Sequence, residues 1–185
     1  MKRVILLHGV GSSGSQMESL VPLLAQDVKG LEFYCPDGPE PCSFSNGRQW
    51  FSVAGVNEEN RPERVRAAMP AFRNILEQFG DPKDSLLVGF SQGTIMALHA
   101  VADGLMPAGV IGVAGRLAGP VASRDTWPLV TLLHGSSDPI MPLDIALETY
   151  NWLARAGSQT ELQVFDGVGH QIDAAMIDVI REHLR

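Results

Sequence analysis

The sequence predicts an α/β protein, a single domain over residues 1–185 built on a doubly wound, mainly parallel sheet of about six strands. Three observations predict it. Unbroken apolar runs, as expected of parallel strands buried on both faces, recur along the chain. Stretches with apolar residues at helical spacing alternate with them. No internal repeat or linker divides the 185 residues, a length that suits one core.

The first apolar run is Val4, Ile5, Leu6 and Leu7, and a glycine/serine loop from His8 to Ser15 follows it. Met17, Leu20, Val21, Leu24 and Val28 then recur at helical spacing up to Gly30, with Pro22 near the start of that helix. A short second strand is expected over residues 31–35. Residues 36–60 are irregular and rich in proline and glycine, and loops of that length inside compact domains tend to be functional. Their apolar content, Trp50, Phe51 and Val53, makes them a candidate wall of a substrate pocket, as does Met141 further on.

A helix is expected over residues 61–79, with Val65, Met69, Phe72, Ile75, Leu76 and Phe79 on one face and Pro70 kinking or restarting it. Strands follow over residues 85–90, 109–114, 129–133 and 162–165. Helices are expected over residues 92–103, 143–156 and 172–184. Residues 115–127 are poorly patterned and read as a loop with a short helix.

Composition excludes several classes. With 45% hydrophobic and 19% charged residues, the chain is neither disordered nor fibrous. A net charge of −7 and the lack of a basic cluster disfavour nucleic acid and anchoring to an anionic membrane as partners. The N-terminal apolar run is too short for a signal peptide, and no segment approaches membrane-spanning length. Cys35 and Cys42 flank a Pro/Gly-rich loop, and two reduced thiols in a cytoplasmic protein fit them better than a disulfide. Whether the chain pairs into a homodimer is left open.

The chemistry lies at the strand ends, where sites form in such sheets. Gly89-Phe90-Ser91-Gln92-Gly93 joins an apolar strand to an apolar helix, the layout of a nucleophile elbow with a serine hydroxyl at its tip. Asp138 follows the strand ending in His134-Gly135, and His170 lies between Gly169 and Gln171 just after the last strand. Serine, acid and base thus appear in the order Ser91, Asp138, His170. A serine hydroxyl is a poor nucleophile until a base removes its proton, the role His170 fits. Asp138 would fix the imidazole tautomer and stabilise its positive charge. An oxyanion needs two donors, and the backbone N–H groups of Gln92 and Val10 are the candidates.

Together, His8-Gly9-Val10-Gly11, the Gly-Phe-Ser-Gln-Gly elbow, His134-Gly135 with Asp138-Pro139-Ile140-Met141-Pro142, and Gly167-Val168-Gly169-His170 resemble the phospholipase/carboxylesterase family of α/β hydrolases, which includes acyl-protein thioesterases. The resemblance runs from Val4 to the C-terminus. It implies a minimal α/β-hydrolase fold and a serine carboxylesterase acting through an acyl-enzyme on a small-molecule ester of short or medium chain. It also implies a Ser91–His170–Asp138 triad and no metal or other cofactor. A thioesterase or lysophospholipase would use the same machinery. Many members carry leucine at the position of Val10 and glycine at that of Thr94. This chain is also shorter than most, so residues 36–60 are expected to frame a more open pocket.

Competing readings are weaker. Asp166 and Asp173 are nearer than Asp138 to His170 in sequence, but Asp138 ends a strand. His8 and His134 lack a third ligand at metal spacing, which leaves hydrogen-bonded structural histidines. Gly9-x-Gly11-x-x-Gly14 has dinucleotide-binding spacing but no acidic residue at the end of the second strand. A non-catalytic binding module on the same fold would have no use for an intact triad.

Overall fold

A computed structural model describes residues Met1–Arg185. In chain order the elements are β1 (Arg3–Leu7), α1 (Gly14–Glu18), α2 (Val21–Leu24), β2 (Glu32–Tyr34), β3 (Glu40–Pro41), β4 (Arg48–Gln49), α3 (Arg61–Glu77), β5 (Ser85–Phe90), α4 (Gln92–Ala102), β6 (Gly109–Val113), β7 (Leu129–Gly135), α5 (Leu143–Arg155), β8 (Thr160–Phe165) and α6 (Ala174–Leu184). Six of the strands form one sheet in the order β2-β1-β5-β6-β7-β8, and every pairing in it is parallel. The chain leaves β1 toward one edge and returns at β5 on its other side. The switch point of the doubly wound sheet therefore falls between β1 and β5, where a crevice opens beyond their carboxyl ends.

Side chains alternate across each strand, so the unbroken apolar runs feed two cores. Ile5, Leu7, Leu87, Val110, Val130 and Leu132 pack with α3, α4 and Trp50. Val4, Leu6, Val88, Ile111, Val113 and Leu133 pack on the other face with Met17, Leu24 and the Met176, Ile180 and Leu184 stripe of α6. Helix α4 is apolar nearly all round and nine of its residues are buried, the pattern of a helix enclosed by its neighbours.

Three local expectations need correction. The helix expected from Met17 onward is two short helices: Pro22, at the second position of α2, has no N–H to continue α1. Pro70 does not restart the helix, since α3 runs unbroken over 17 residues. Pro70 and Arg66 lie on its exposed face, where water can take the carbonyl the proline leaves unbonded. Residues 115–127 hold no helix. That loop is pinned from outside instead. The Arg116 guanidinium forks onto Glu58 at 2.8 and 3.1 Å, Leu117 N–H donates to Thr149 Oγ1, and Ala118 N–H donates to His99 Nε2 at 2.8 Å.

The His99 contact carries a pH prediction. Burial pushes the His99 imidazole down to about 4, against some help from Asp103. In the unfolded chain the ring returns to about 6.5. Between those values the unfolded state binds the extra proton, so stability is complete above the unfolded value and falls as pH drops toward the folded one. The loss amounts to about 3 kcal/mol. Urea midpoints of wild type and His99→Gln are expected to diverge between pH 7 and pH 4.5, with the wild type falling more steeply. Parallel pH curves would refute the linkage.

Candidate active site

The elbow is built by backbone necessity. Ser91 sits at φ 52°, ψ −112°, a left-handed conformation that costs an L-residue energy and holds its side chain at the tip of the turn. Its N–H donates to Val113 O at 2.9 Å, and its carbonyl accepts the Ile95 N–H, so the turn is held from both sides. The glycines flanking it are required by space. A Cβ on Gly89 would stand 2.5 Å from Thr94 N, and one on Gly93 2.2 Å from Leu7 O. Thr94 donates its hydroxyl to Gly89 O (2.7 Å) and Val113 O (3.0 Å), so its side chain stitches strand β5, the turn and strand β6 together.

Three residues from separate strand ends meet here. His170 Nδ1–H donates to Asp138 Oδ2 at 2.8 Å, which leaves Nε2 to accept the Ser91 hydroxyl at 3.0 Å. Ser91 and Asp138 are each 5% exposed, and the His170 side chain is 17% exposed. Burial pushes the Asp138 carboxyl up, but the amide of Met141, the His170 ring and the amide of Ile140 outweigh it and hold the group below its usual value. The two amides donate to Oδ1 at 2.8 and 2.9 Å, so one carboxylate oxygen is anchored and the other faces the imidazole. The rival acids are used elsewhere. Asp166 accepts from the Ser136 hydroxyl at 3.0 Å, and Asp173 caps α6 by accepting the Met176 N–H at 2.9 Å.

The loops carrying Asp138 and His170 are also tied to each other. Ser136 Oγ donates to Asp166 and accepts the Gly167 N–H at 2.9 Å, while Ser137 N–H donates to Val168 O at 3.0 Å. In the loop after β1, the Val10 N–H has no protein acceptor. Gln92 opens α4, where a first-turn N–H has no intrahelical partner. A serine hydrogen-bonded to an acid-oriented imidazole, beside two unspent amides, is equipped for acyl transfer: deprotonation, nucleophilic attack and oxyanion binding.

Of the three residues expected to wall a pocket, the structure buries Trp50 in the core. Trp50 is 1% exposed, with its indole donating to His8 O at 2.8 Å and its ring stacked on His8 and edge-on to Phe72. It is a buried brace. Phe51 is buried in the same core, and it borders a cavity of about 230 Å³ with Glu40, Ser52, Arg64, Ala67 and Ala68, none of them a partner of Ser91. Met141 contributes its backbone: the amide holds Asp138, and the carbonyl accepts from His134 Nε2 at 2.7 Å.

The two strand-end histidines are hydrogen-bonded, as expected. His8 Nε2 accepts the Gly38 N–H at 2.8 Å, and burial holds its ring below the usual value, in the neutral form. Cys35 and Cys42 are both free thiols.

The side chain of Gln92 was missed by sequence reasoning. Its Oε1 accepts the Trp50 N–H at 2.9 Å and its Nε2 donates to Phe51 O at 2.7 Å, across 42 and 41 residues of sequence. No local pattern signals a contact of that span. The one available hint is a glutamine in an otherwise apolar helix start.

The sequence model of the phospholipase/carboxylesterase family matches residues 1–185. Esterase YpfH of Escherichia coli (strain K12) is 34% identical over 188 residues, covering 98% of this chain and 81% of the esterase. Acyl-protein thioesterase 1 of Gibberella zeae is 26% identical over 211 residues, covering 98% of this chain and 88% of the thioesterase. The crystal structure of esterase PE8 superposes with a TM-score of 0.88 at 28% identity, covering the whole of this chain and 91% of that one. No helix is long and apolar enough to cross a membrane. With its fold, its strand-end geometry and its full-length family match in agreement, the chain belongs to the phospholipase/carboxylesterase family of α/β hydrolases and is a serine hydrolase of the esterase/thioesterase type.

Proposed function

We propose that the chain is a serine carboxylesterase that hydrolyses short- and medium-chain carboxylic esters through an acyl-enzyme, with Ser91 as nucleophile, His170 as general base and acid, and Asp138 as the group that orients His170. The observation that carries it is the continuous hydrogen-bonded chain from Ser91 Oγ through His170 to the anchored Asp138. In the first step Ser91 Oγ attacks the acyl carbon and its proton passes to His170 Nε2. The carbonyl oxygen becomes an oxyanion, which the Val10 and Gln92 N–H groups receive. Collapse breaks the bond to the leaving alkoxide, which takes the proton from His170. Water then repeats the sequence on the acyl-enzyme, and Ser91 regains its proton. No step needs a cofactor. The two free cysteines suit a reducing compartment and so a cytoplasmic location.

A thioester substrate is the second reading, favoured by the relative named as an acyl-protein thioesterase. Nitrophenyl esters of increasing chain length, run beside matched thioesters, separate the two. The ester reading expects turnover greatest on the short and medium esters. Fluorophosphonate labelling read by mass spectrometry tests the nucleophile. The adduct is expected on Ser91 and absent from Ser91→Ala. An unlabelled protein with no turnover on any ester or thioester would sink both readings, and a label elsewhere would displace Ser91.

A further inference from the structure

We propose that Trp50 is a positioning residue that sets the spacing of the two oxyanion donors, an inference that rests on the hydrolase reading above. The pairing of β1 with β5 ends at Leu7 and Gly89. Beyond that point the chain leaves the sheet in two separate segments, the loop of residues 8–12 and the Ser91 turn that opens α4, and no hydrogen bond runs directly from one to the other. Yet the two donors, Val10 in the loop and Gln92 at the start of α4, must converge on one oxygen atom. Oxyanion stabilisation depends on that convergence being fixed before the charge develops. Parallel pairing stops at Leu7, so the hydrogen bonds of the ladder reach neither donor, and the packing of Gly93 on Leu7 holds α4 on β1 without a hydrogen bond to Val10.

Trp50 spends both of its N–H groups on closing this gap. Its backbone N–H donates to Gln92 Oε1 at 2.9 Å, and Gln92 Nε2 returns a bond to Phe51 O at 2.7 Å. The glutamine amide is thus paired as a strand edge would be, and the start of α4 is clamped. The indole N–H donates to His8 O at 2.8 Å, and the indole stacks on the His8 ring with centroids 5.1 Å apart.

His8 carries the restraint one residue further. Its Nε2 accepts the Gly38 N–H, so the proton sits on Nδ1, which donates to Gly9 O at 2.7 Å. That carbonyl belongs to the same planar peptide as the Val10 N–H, and fixing one fixes the direction of the other. Trp50 is itself immobile, 1% exposed and set edge-on against Phe72. One rigid residue therefore links both donors, one through a side-chain clamp and the other through the His8 ring.

The test separates positioning from mere stability. Trp50→Phe keeps an aromatic ring but removes the indole N–H together with part of the buried ring system, whereas Gln92→Met removes the clamp from the other end with little change in volume and leaves the Gln92 backbone position in place. Each is expected to lower kcat on a nitrophenyl ester roughly 10- to 100-fold with KM within about twofold. Affinity for a trifluoromethyl ketone, whose tetrahedral adduct carries an oxyanion, should fall by the same factor as kcat. Met176→Ala, in the core on the opposite face of the sheet, supplies a control that loses stability without touching the brace. It should leave kcat and ketone affinity as in wild type.

Folded Trp50→Phe or Gln92→Met protein with unchanged kcat and ketone affinity overturns the proposal, as does a matching loss in Met176→Ala. If Trp50→Phe does not fold, Gln92→Met decides the question alone. Failure of the hydrolase reading looks different: wild type would then neither turn over ester nor take the fluorophosphonate label.

Discussion

Asp138→Asn is expected to lower kcat about 10⁴-fold while the fold survives. The size of the loss follows from which oxygen the substitution replaces. Oδ1 accepts the Ile140 and Met141 amides, and an asparagine must present its one acceptor oxygen there to keep both satisfied. Its Nδ2 then takes the place of Oδ2, facing His170 Nδ1 across 2.8 Å. Nδ2 can only donate. His170 Nδ1 must accept, and the ring's single proton moves to Nε2. That nitrogen faces Ser91 Oγ at 3.0 Å and can no longer take its proton.

The substitution thus inverts the tautomer without moving an atom far, and the unfolding midpoint should shift by only a few degrees. The charge matters as well. The Asp138 carboxyl titrates below its usual value, so its contribution to stability is present above the unfolded value and is lost as pH falls through the folded one. Near neutral pH it is fully ionised and able to stabilise the imidazolium. Steady-state kinetics on a nitrophenyl ester measure the effect; a kcat within tenfold of wild type in folded Asp138→Asn would remove Asp138 from the mechanism.

The parts of the chain that the sequence makes legible share a cause. Strands buried on both faces carry few polar residues, so residues 4–7, 86–90 and 109–113 stand out as apolar runs. Ser91 and Asp138 are legible because each follows such a run beside glycine or proline, His170 because it stands beside Gly169 shortly after the last strand, and the parallel strands bring those ends to one side. What was misread depends on contacts with no local period. Trp50 and Phe51, aromatic residues in a long loop, look like pocket walls until the loop folds over the crevice and Gln92 binds their backbone. The hold of the Met141 peptide groups on Asp138 and His134 leaves no trace in the sequence, where only its apolar side chain shows. The helix expected within residues 115–127 fails because the Leu117 and Ala118 amides donate to Thr149 and His99, and the Arg116 guanidinium to Glu58 and Leu117 O, rather than the amides to carbonyls one turn back.

Gly93→Ala is expected to abolish the native fold, with a destabilisation above about 4 kcal/mol. In an ordinary buried helix the same change would help by roughly 1 kcal/mol, because alanine is the better helix former. Space reverses the sign here. The added methyl would lie 2.2 Å from Leu7 O, 2.6 Å from Leu7 C and 2.8 Å from Leu7 Cβ. The first two are backbone atoms of the strand β1 ladder, bonded across to β5 and unable to swing aside as a side-chain tip could. Relief would require α4 to lift away from β1. But α4 begins at the strained Ser91 turn, and its buried residues fill the core on that face of the sheet.

Separating them would open the core and draw Ser91 and the Gln92 amide away from Val10 together, so stability and activity should fail in one step. Circular dichroism and a urea titration measure the first, and fluorophosphonate labelling of the soluble fraction the second. A Gly93→Ala protein that folds with wild-type stability and takes the label would show that the strand and the helix are not locked at that distance.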